Sequence, residues 1–336
     1  MTTDRVLMAH GSGGLMSQQL IDKVFKSSYN NDYLNPMMDG ALLELPPGKA
    51  VISTDSFVIT PVFFPGGNIG KLAVCGTVND LMACGATPLF LSAAFIIEEG
   101  FSIEDLKKIA ASMAETAAAA GVKIVTGDTK VVEKGSADGI FINTTGIGII
   151  SDRVEYRPDR IAPGDSIIVT GNIGDHGLAI LAKREGMSFA TPTVSDCAPL
   201  VQTSAALRKY ADKIKCMRDP TRGGLATVLN ELAQQSGRGM LINEASIPVS
   251  PVVQGACNML GLEALYMANE GKFVIFVEKA IADEVLADLK QLPEAGNAAI
   301  IGQVTEEPAG MVLLETSLGA KRILGMLEGE HLPRIC

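Results

Sequence analysis

A segment rich in proline, glycine and charge divides the chain near its middle. It covers residues 157–166 and has the sequence RPDRIAPGDS. Proline and glycine clustered between two apolar, periodic regions are typical of a loop or a domain junction. The chain has 336 residues, which suits two domains at the usual ~150 residues each. We therefore predict domains at 1–156 and 157–328, followed by a mobile tail at 329–336.

Segments with strand and helix patterns alternate on both sides of this junction. Ser102 is predicted to cap one helix, with Asp105 as an acidic variant of a capping box, and Gly121 is predicted to end it. A mixture of strands and helices in both halves indicates two domains of the α/β or α+β class. The first half is predicted to form strands at 49–54, 88–97, 123–128 and 140–150 and helices at 68–84 and 102–121. The second half is predicted to form strands at 166–171, 272–278, 298–304 and 311–315 and helices at 174–185, 195–211, 223–237 and 280–291.

Charge and hydropathy narrow the classes of partner. The formal net charge is −10 and no basic patch is visible, which argues against a nucleic-acid partner. The N-terminus lacks the basic region and apolar run of a secretory signal. The longest apolar stretch, 89–97, is interrupted by Ser92, and a membrane span needs about 20 residues. We expect a cytoplasmic protein that binds neither nucleic acid nor membrane.

The chain has six cysteines, and none of them forms a C-x-x-C pair, which argues against zinc-knuckle and thioredoxin-like sites. Cys336, the last residue of the sequence, differs from the others because a chain end is seldom buried. A thiol there has a long reach, and its thiolate is a good nucleophile. We interpret Cys336 as the working thiol, with Arg334 beside it able to meet phosphate, although composition alone favours an end residue without a role. The others lie in apolar or helical patterns and are predicted to be buried thiols: Cys75, Cys84, Cys197, Cys216 and Cys257.

Four aspartates lie in short polar motifs of the first half. Asp55 and Asp128 come where predicted strands end. Carboxylates in such places are well suited to hold Mg²⁺ against a polyphosphate. For any single aspartate a helix cap or a turn is the commoner explanation, but four in one acidic half favour a site. They are Asp39 in MMDG, Asp55 in STDS, Asp80 in VNDL and Asp128 in GDTK.

Two glycine-rich segments are candidate anion sites. The first runs from His10 through Gly13 and Gly14, where the backbone can approach a phosphate closely, and a flexible turn is the alternative. The second begins at Asp219 with the sequence DPTRGG, directly before a predicted helix. There a capped loop is an equally good explanation. Residues 66–71 fall short of a Walker A loop by one spacer, so a nucleotide would have to bind by another arrangement.

Two polar turns carry further candidates. Glu270 lies in Asn-Glu-Gly before an apolar strand, and Lys134 lies in the loop VVEKGSADG. Either residue is able to serve as a general base or a charge partner. Ordinary solvated turn residues would have the same appearance.

Taken together, the motifs resemble those of the HypE family of hydrogenase-maturation proteins over essentially the whole chain. The internal motifs HGSGG, TDS, VNDL, GDTK, DPTRGG and ANEG are similar to those of a wider superfamily, which includes aminoimidazole ribonucleotide synthetase, selenophosphate synthetase and thiamine-phosphate kinase. The final PRIC is specific to HypE. The resemblance implies a PurM-like fold. Its N-terminal α+β domain would pair in a homodimer to close a β-barrel, and its C-terminal α/β domain would cover an ATP cleft.

The resemblance also implies a reaction. HypF would load a carbamoyl group onto Cys336, and ATP with Mg²⁺ would then drive its dehydration to an S-cyanide. A HypC–HypD complex would receive the cyanide on iron. Among the residues, Asp55, Asp80 and Asp128 would be the strongest metal or ATP positions. Asp39 and Asp219 come next, with His10, Gly13, Gly14 and Arg334 as further nucleotide contacts and Asp219 also as a metal position. Glu270 and Lys134 match proposed proton-transfer positions.

Two other functions stay open at this point. One is another enzyme of the superfamily that activates a different acceptor. A selenophosphate synthetase is disfavoured because the first 30 residues contain no cysteine, and a small-molecule kinase has no use for a terminal thiol. The other is a carrier without catalysis, whose thiol delivers a group that was made elsewhere.

Overall fold

The computed structural model describes residues 4–150, 154–189, 191–329 and 334–336. The chain divides into two compact units rather than one continuous core. The division falls after Ile150, whereas the sequence predicted it after residue 156. The first unit comprises Met1–Leu81, Ala86–Ile150 and Arg334–Cys336, and the second comprises Met82–Gly85 and Ser151–Pro333.

The first unit contains a four-stranded sheet in the order β1-β6-β4-β5. The pairs β1·β6 and β6·β4 are antiparallel, and β4·β5 is parallel. Parallel neighbours need a long crossover connection, which α4 provides between β4 and β5. The strands are β1 (Lys49–Phe57), β2 (Phe63–Phe64), β3 (Gly67–Asn68), β4 (Thr87–Glu98), β5 (Lys123–Val132) and β6 (Ile140–Ile150). The helices are α1 (Leu15–Leu20), α2 (Ser27–Tyr29), α3 (Ile69–Ala83) and α4 (Ile103–Ala120), with a π-helical segment (Ile21–Lys26) between α1 and α2.

Local sequence signals set the bounds of α4. The Ser102 side chain accepts a hydrogen bond from the Asp105 N–H, and Gly121 ends the helix with φ at 71°. The N-cap at Ser102 and the helix end at Gly121 are confirmed, but the capping box is not, because the Asp105 carboxylate accepts a hydrogen bond from Lys108. The apolar side chains of α4 recur every three or four residues, and Ile109 and Met113 are fully buried.

The two faces of the sheet differ in how they are covered. On β1, Ser53, Asp55 and Phe57 alternate with exposed residues, and Ile52 on the opposite face is 67% exposed. On β6, the Thr144 hydroxyl donates to the Ala73 carbonyl oxygen in α3. The face that carries Asp55 is therefore the one that α3 covers.

The second unit contains a seven-stranded sheet in the order β13-β12-β9-β11-β7-β10-β8. Within this sheet β12·β9 is the parallel pair, and the other described pairs are antiparallel. Within this sheet, β7 and β10 are buried along their whole length. The strands are β7 (Ser166–Val169), β8 (Ile214–Arg218), β9 (Gly239–Asn243), β10 (Val274–Val277), β11 (Ala299–Thr305), β12 (Val312–Glu315) and β13 (Lys321–Ile323). The helices are α5 (Asp175–Glu185), α6 (Val201–Leu207), α7 (Gly224–Ser236), α8 (Pro251–Leu260) and α9 (Ala282–Leu289).

The largest error of the sequence prediction is the helix at 195–211. Helix α6 begins only at Val201, and a 3₁₀ turn follows it at Arg208–Tyr210. Residues 195–200 are irregular because their side chains bind elsewhere: the Ser195 hydroxyl bonds to His176, and Asp196 binds two backbone N–H groups. The structure also contains elements that were not predicted, namely the strands β2, β3, β8, β9 and β13 and the helices α1, α2 and α8.

Four of the five cysteines predicted to be buried are buried, but Cys84 is exposed. That prediction was wrong for Cys84 because the residue falls at the end of α3, where the helix gives way to a turn at Gly85. None of the helices in the described ranges is long and apolar enough to cross a membrane.

Candidate functional site

An acidic pair lies where β1 packs on α3. The Ser53 Oγ donates a hydrogen bond of 2.6 Å to Oδ2 of Asp80. A side chain on Gly76, one helical turn before Asp80, would place its Cβ 3.6 Å from Oδ2 of Asp55. Residues four apart on a helix lie about 6 Å apart, so the carboxylates of Asp55 and Asp80 share one short stretch of the β1–α3 contact. The structure brings these two predicted residues together.

Asp128 lies elsewhere in the same unit. It belongs to β5, and two strands separate β5 from β1 in the sheet order. At the usual strand spacing this puts Asp55 and Asp128 on the order of 14 Å apart within one chain. Lys130 binds the Asp128 carboxylate with its Nζ 3.0 Å away. That hydrogen bond lowers the pKa of Asp128 below its ordinary value.

These positions limit how a cation would be held. Mg²⁺ binds its oxygen ligands at about 2.1 Å, so one ion does not reach both Asp55 and Asp128 of a chain. Within the described ranges, no three His, Cys, Asp or Glu side chains form a metal-binding group. Asp55 and Asp80 therefore fit an ion that completes its coordination with water and phosphate oxygens, which is the usual habit of Mg²⁺.

The N-terminal segment encloses a cavity of about 240 Å³ against β4 and β5. Its walls are largely apolar, and the rings of Phe25 and Phe95 meet there with centroids 4.5 Å apart. A Cβ on Gly11 would lie 2.6 Å from the backbone nitrogen of Val131, so a glycine is needed for this close approach. Polar groups join the lining at His10, Asp128 and Lys130.

The glycine-rich segment is partly used by its own structure. The Gly13 N–H donates to the Ser17 hydroxyl at 2.9 Å, and Gly13 has φ at 80°, which favours glycine. The Nδ1 of His10 accepts a hydrogen bond of 2.9 Å from the Leu7 N–H. The neutral ring therefore carries its proton on Nε2, as a donor. Of the predicted contacts, His10 and Gly13 line the cavity, whereas Gly14 precedes α1 as its N-cap.

The last three residues dock on the first unit. The Val58 N–H donates to the Cys336 carbonyl oxygen at 3.2 Å, and the Thr60 N–H donates to the Arg334 carbonyl oxygen at 3.2 Å. Ile335 between them is buried. Val58 directly follows β1, the strand that carries Asp55. The chain end thus places Cys336 three residues beyond Asp55 along the strand direction.

The loop with Lys134 lies between β5 and β6. Glu98 holds this loop at two points, because its carboxylate oxygens accept the N–H groups of Gly135 at 2.8 Å and Gly139 at 3.0 Å. Lys134 is exposed in the loop, and Asp138 in the same loop forms an ion pair with Arg334. Asp39, the last of the predicted carboxylates in this unit, is exposed and follows the cavity residue Met37 by two positions.

In the second unit, the buried side chain of Asn269 joins three loops. Its Oδ1 accepts the Gly174 N–H at 2.7 Å, and its Nδ2 donates to the Pro220 carbonyl oxygen at 2.8 Å. This brings the loop of Asp219 beside the loop of Glu270. Both predicted residues of this unit are therefore neighbours in one polar region.

Sequence reasoning missed the residues that fix Glu270. Asp196 accepts the N–H groups of Glu270 at 3.0 Å and of Gly271 at 3.2 Å, and its carboxylate forms a buried ion pair with Lys272 at 3.3 Å. Any side chain on Gly271 would collide with the Asp196 carbonyl oxygen. Pro199 argues against the helix predicted at 195–211, because proline is poorly tolerated inside a helix. Burial and then the charge of Asp196 raise the pKa of nearby Asp175.

Each of the two units matches a known domain family. The model of the AIR synthase related protein N-terminal domain matches residues 37–150, and that of the C-terminal domain matches residues 162–314. The two-domain PurM-like fold predicted for the chain is thereby confirmed.

Three full-length relatives are informative. The carbamoyl dehydratase HypE of Azotobacter vinelandii is 49% identical over 98% of this chain and 97% of its own length. A crystal structure of HypE in complex with ATP has a TM-score of 0.95 and 46% identity, covering 98% of this chain and 99% of that one. A HypE–HypF complex contains a chain with a TM-score of 0.81 and 49% identity, covering 92% of this chain and 99% of that one. Given this identity along nearly its whole length, the chain belongs to the HypE family of carbamoyl dehydratases.

Proposed function

We propose that this chain catalyses the ATP-dependent dehydration of a carbamoyl group on the sulfur of Cys336, which gives a thiocyanate. That thiocyanate would supply the cyanide ligand of iron during maturation of a [NiFe]-hydrogenase. The observation that carries the proposal is the docking of Cys336 directly after β1, the strand that carries Asp55 and whose Ser53 binds Asp80. The 49% identity to a curated carbamoyl dehydratase supports the same reaction.

We assign Mg²⁺ to Asp55 and Asp80. Two carboxylates with an orienting hydroxyl, Ser53, make a hard-oxygen donor set of the kind that Mg²⁺ prefers. The ion, when bound, would neutralise charge on the phosphoryl group that is transferred. Asp128 and Lys130 would contact the nucleotide or a second ion. Asp39 and Asp219 are proposed as outer contacts of the bound nucleotide and its metal ion.

The cavity under the N-terminal segment is the proposed site for the base of ATP. Its volume of about 240 Å³ is below the roughly 300–1,000 Å³ of pockets that take a whole ligand, so it suits one part of a nucleotide. Phe25 and Phe95 supply apolar surface, and His10 offers its Nε2–H at the wall. Asp128 and Lys130, which also line the cavity, would lie toward the ribose and phosphates.

The proposed chemistry needs a good leaving group. The amide oxygen of the S-carboxamide would take the terminal phosphoryl group of ATP, which releases ADP, and the nitrogen would lose one of its two protons to leave an O-phosphorylated imidate. Loss of the remaining nitrogen proton would then form the C≡N bond as the C–O bond breaks and phosphate departs. Such a reaction depends mainly on positioning and charge neutralisation. Cys336 holds the reacting carbon, and the docked tail limits where that carbon lies.

Glu270 and Lys134 are the proposed groups that move protons. Glu270 is buried, and Asp196 fixes its backbone. Lys134 shares a loop with Asp138, to which the tail residue Arg334 is paired. Each is a group able to accept a proton or to balance charge at the carbamoyl nitrogen.

The proposed partners follow from the reaction. A HypE–HypF complex has been solved for a relative, and we propose HypF as the carbamoyl donor here and a HypC–HypD complex as the cyanide acceptor. We also propose a homodimer in which two sheets close a barrel. In support, β1 and β5 form the edges of the described sheet, and Ile52 and Ile96 are exposed. We place the reaction in the cytoplasm, where thiols stay reduced.

The proposal is tested by phosphate release from carbamoyl-loaded protein in a single turnover. The expected result is one phosphate per loaded Cys336, with no release above background for Cys336→Ala. Asp80→Asn should slow the release by roughly 100-fold or more, because a bound metal supplies several kcal/mol in such reactions. Asp105→Asn removes an exposed carboxylate that pairs with Lys108 and should release phosphate normally. A loaded wild-type protein that releases no phosphate would point to a carrier without catalysis.

A further inference from the structure

We propose that Asp138 is the docking residue for the chain end and positions Cys336 beside β1. The proposal rests on the role of Cys336 in the proposed function. It adds an assignment that the reaction itself does not contain, namely the acidic residue that binds the Arg334 side chain. It also assigns a role in docking to the loop between β5 and β6, because that loop carries Asp138.

The backbone of the tail binds in the manner of an added strand. The N–H groups of Val58 and Thr60 are two residues apart, and they donate to the carbonyl oxygens of Cys336 and Arg334, which are also two residues apart. This spacing is that of neighbouring antiparallel strands, where every second pair of opposite residues is joined by backbone hydrogen bonds. Backbone bonds of this kind provide affinity for a peptide without reading its sequence.

Side chains make the docking specific. Ile335 is buried, with 7% of its surface exposed. Arg334 has φ at 55°, in the left-handed region, and its guanidinium pairs with the Asp138 carboxylate. The side chains of Arg334 and Ile335 thus add an ion pair and a buried apolar contact to the backbone bonds. Cys336 follows them and takes a fixed place.

The position of Asp138 is itself fixed by its loop. Glu98 accepts the N–H groups of Gly135 and Gly139, which flank Asp138. The Ile140 N–H also donates to the Asp138 carbonyl oxygen at 3.0 Å. The carboxylate of Asp138 is therefore presented from a loop that is tied at both ends to β4.

The strength of the pair suits a tail that docks and leaves. The side chains are 57% exposed at Arg334 and 44% exposed at Asp138. An exposed ion pair of this kind changes an equilibrium by about fivefold at most, and salt weakens it. A buried pair would hold the tail too firmly for a thiol that has to be loaded by one protein and unloaded by another.

The test uses the reactivity of Cys336 rather than enzymatic turnover. The full chain is treated with iodoacetamide, and mass spectrometry follows alkylation of the C-terminal peptide over time. Cys84, which is exposed, gives the reference rate within the same molecule. Asp138→Asn should raise the Cys336 rate about two- to fivefold relative to Cys84. In the wild type, 0.5 M salt should accelerate alkylation similarly, and in Asp138→Asn salt should have little effect.

Two further variants make the assignment specific. The charge exchange Asp138→Arg with Arg334→Asp should return the rate toward that of the wild type. Glu133→Gln changes another exposed acid of the same loop and should leave the rate unchanged. The proposal is overturned if Asp138→Asn reacts like the wild type, or if the charge exchange fails to restore a rate that Asp138→Asn has raised. Because no ATP is present, failure of the dehydration reaction would leave this result unaffected.

Discussion

The Ser53 hydroxyl donates a hydrogen bond of 2.6 Å to the Asp80 carboxylate. This bond joins β1 to α3 at the place where Asp55 also meets the helix. Ser53 and Asp55 are two residues apart on one strand and therefore face the same way. The acidic pair of Asp55 and Asp80 depends on this alignment of β1 with α3. Mutations in the strand and in the helix test that dependence.

Removal of the Ser53 hydroxyl should weaken the orientation of Asp80. A hydrogen bond to a charged group is worth about 1.5–3 kcal/mol, so we expect Ser53→Ala to lower the free energy of unfolding by about 1–2 kcal/mol. We also expect it to raise the Mg²⁺ concentration needed for half-maximal phosphate release. Urea denaturation and a magnesium titration measure these effects. Ser56→Ala removes a hydroxyl that accepts a hydrogen bond from the neutral amide of Asn143 rather than binding a carboxylate; it is the control, and an equal effect there would contradict the role of Ser53.

A side chain at Gly76 should push α3 away from β1. Its Cβ would lie 2.8 Å from the Phe57 ring, and overpacking of this kind costs about 1–3 kcal/mol. We expect Gly76→Ala to be destabilised by that amount in urea denaturation. Gly255 in α8 has open space where a Cβ would go, so Gly255→Ala should instead stabilise by up to about 1 kcal/mol through helix propensity. Equal changes at the two sites would rule out the steric explanation.

Asp196 should matter more for stability than any exposed acid. Its side chain and that of Lys272 are 4% and 10% exposed, and breaking a buried pair costs roughly 3–5 kcal/mol. Since Asp175 also attracts Lys272, we expect about 2–4 kcal/mol for Asp196→Asn. Glu104→Gln removes an exposed pair with Lys107 and should cost below about 0.5 kcal/mol. A similar loss of stability in both variants would contradict a larger contribution from the buried pair of Asp196 and Lys272.

The loop that carries Lys134 and Asp138 should open in acid. Hydrogen bonds from Gly135 and then Gly139 lower the pKa of Glu98 below its ordinary value of 4.5. A carboxylate with a lowered pKa in the folded protein stabilises it above pH 4.5, and that contribution is lost as the pH falls through the lowered pKa. Protection of the Gly135 and Gly139 amides against hydrogen exchange should therefore decline below pH 4.5.

The matched variant for this loop is Glu98→Gln. It should show weak protection of both amides already at neutral pH, with no further acid step. The Gly121 amide, which bonds to backbone carbonyls of α4, should keep its protection in both proteins. Protection of Gly135 and Gly139 that is unchanged by pH in the wild type would contradict the role of Glu98.

Local signals explain what the sequence predicted well. Ser102 and Gly121 define α4 because capping and termination depend on neighbouring residues alone. Helix α8 has signals of the same kind, with Ser250 as N-cap, Pro251 in the first turn and Gly261 after the end. These signals are local, so α8 is within reach of a prediction from the sequence.

Long-range contacts explain what was out of reach. The motifs identified Asp55, Asp80 and Asp128 as one set, but the strand order that puts Asp128 on the far edge is not written in any local pattern. Asp196 is similar, because its partners Glu270 and Lys272 lie more than seventy residues away. The ion pair of Arg334 with Asp138 joins the tail to the loop between β5 and β6. None of these pairs has a sequence spacing that indicates contact.

The central claim is that Cys336 carries the group that is dehydrated. Its most direct test is the mass of the C-terminal peptide from carbamoyl-loaded protein, before and after a single turnover with Mg–ATP. We predict that the carbamoyl adduct on Cys336 loses the mass of one water with Mg–ATP and stays intact when ATP or Mg²⁺ is omitted. An adduct on Cys336 that remains unchanged with Mg–ATP, or one that is found on another residue, would contradict the account.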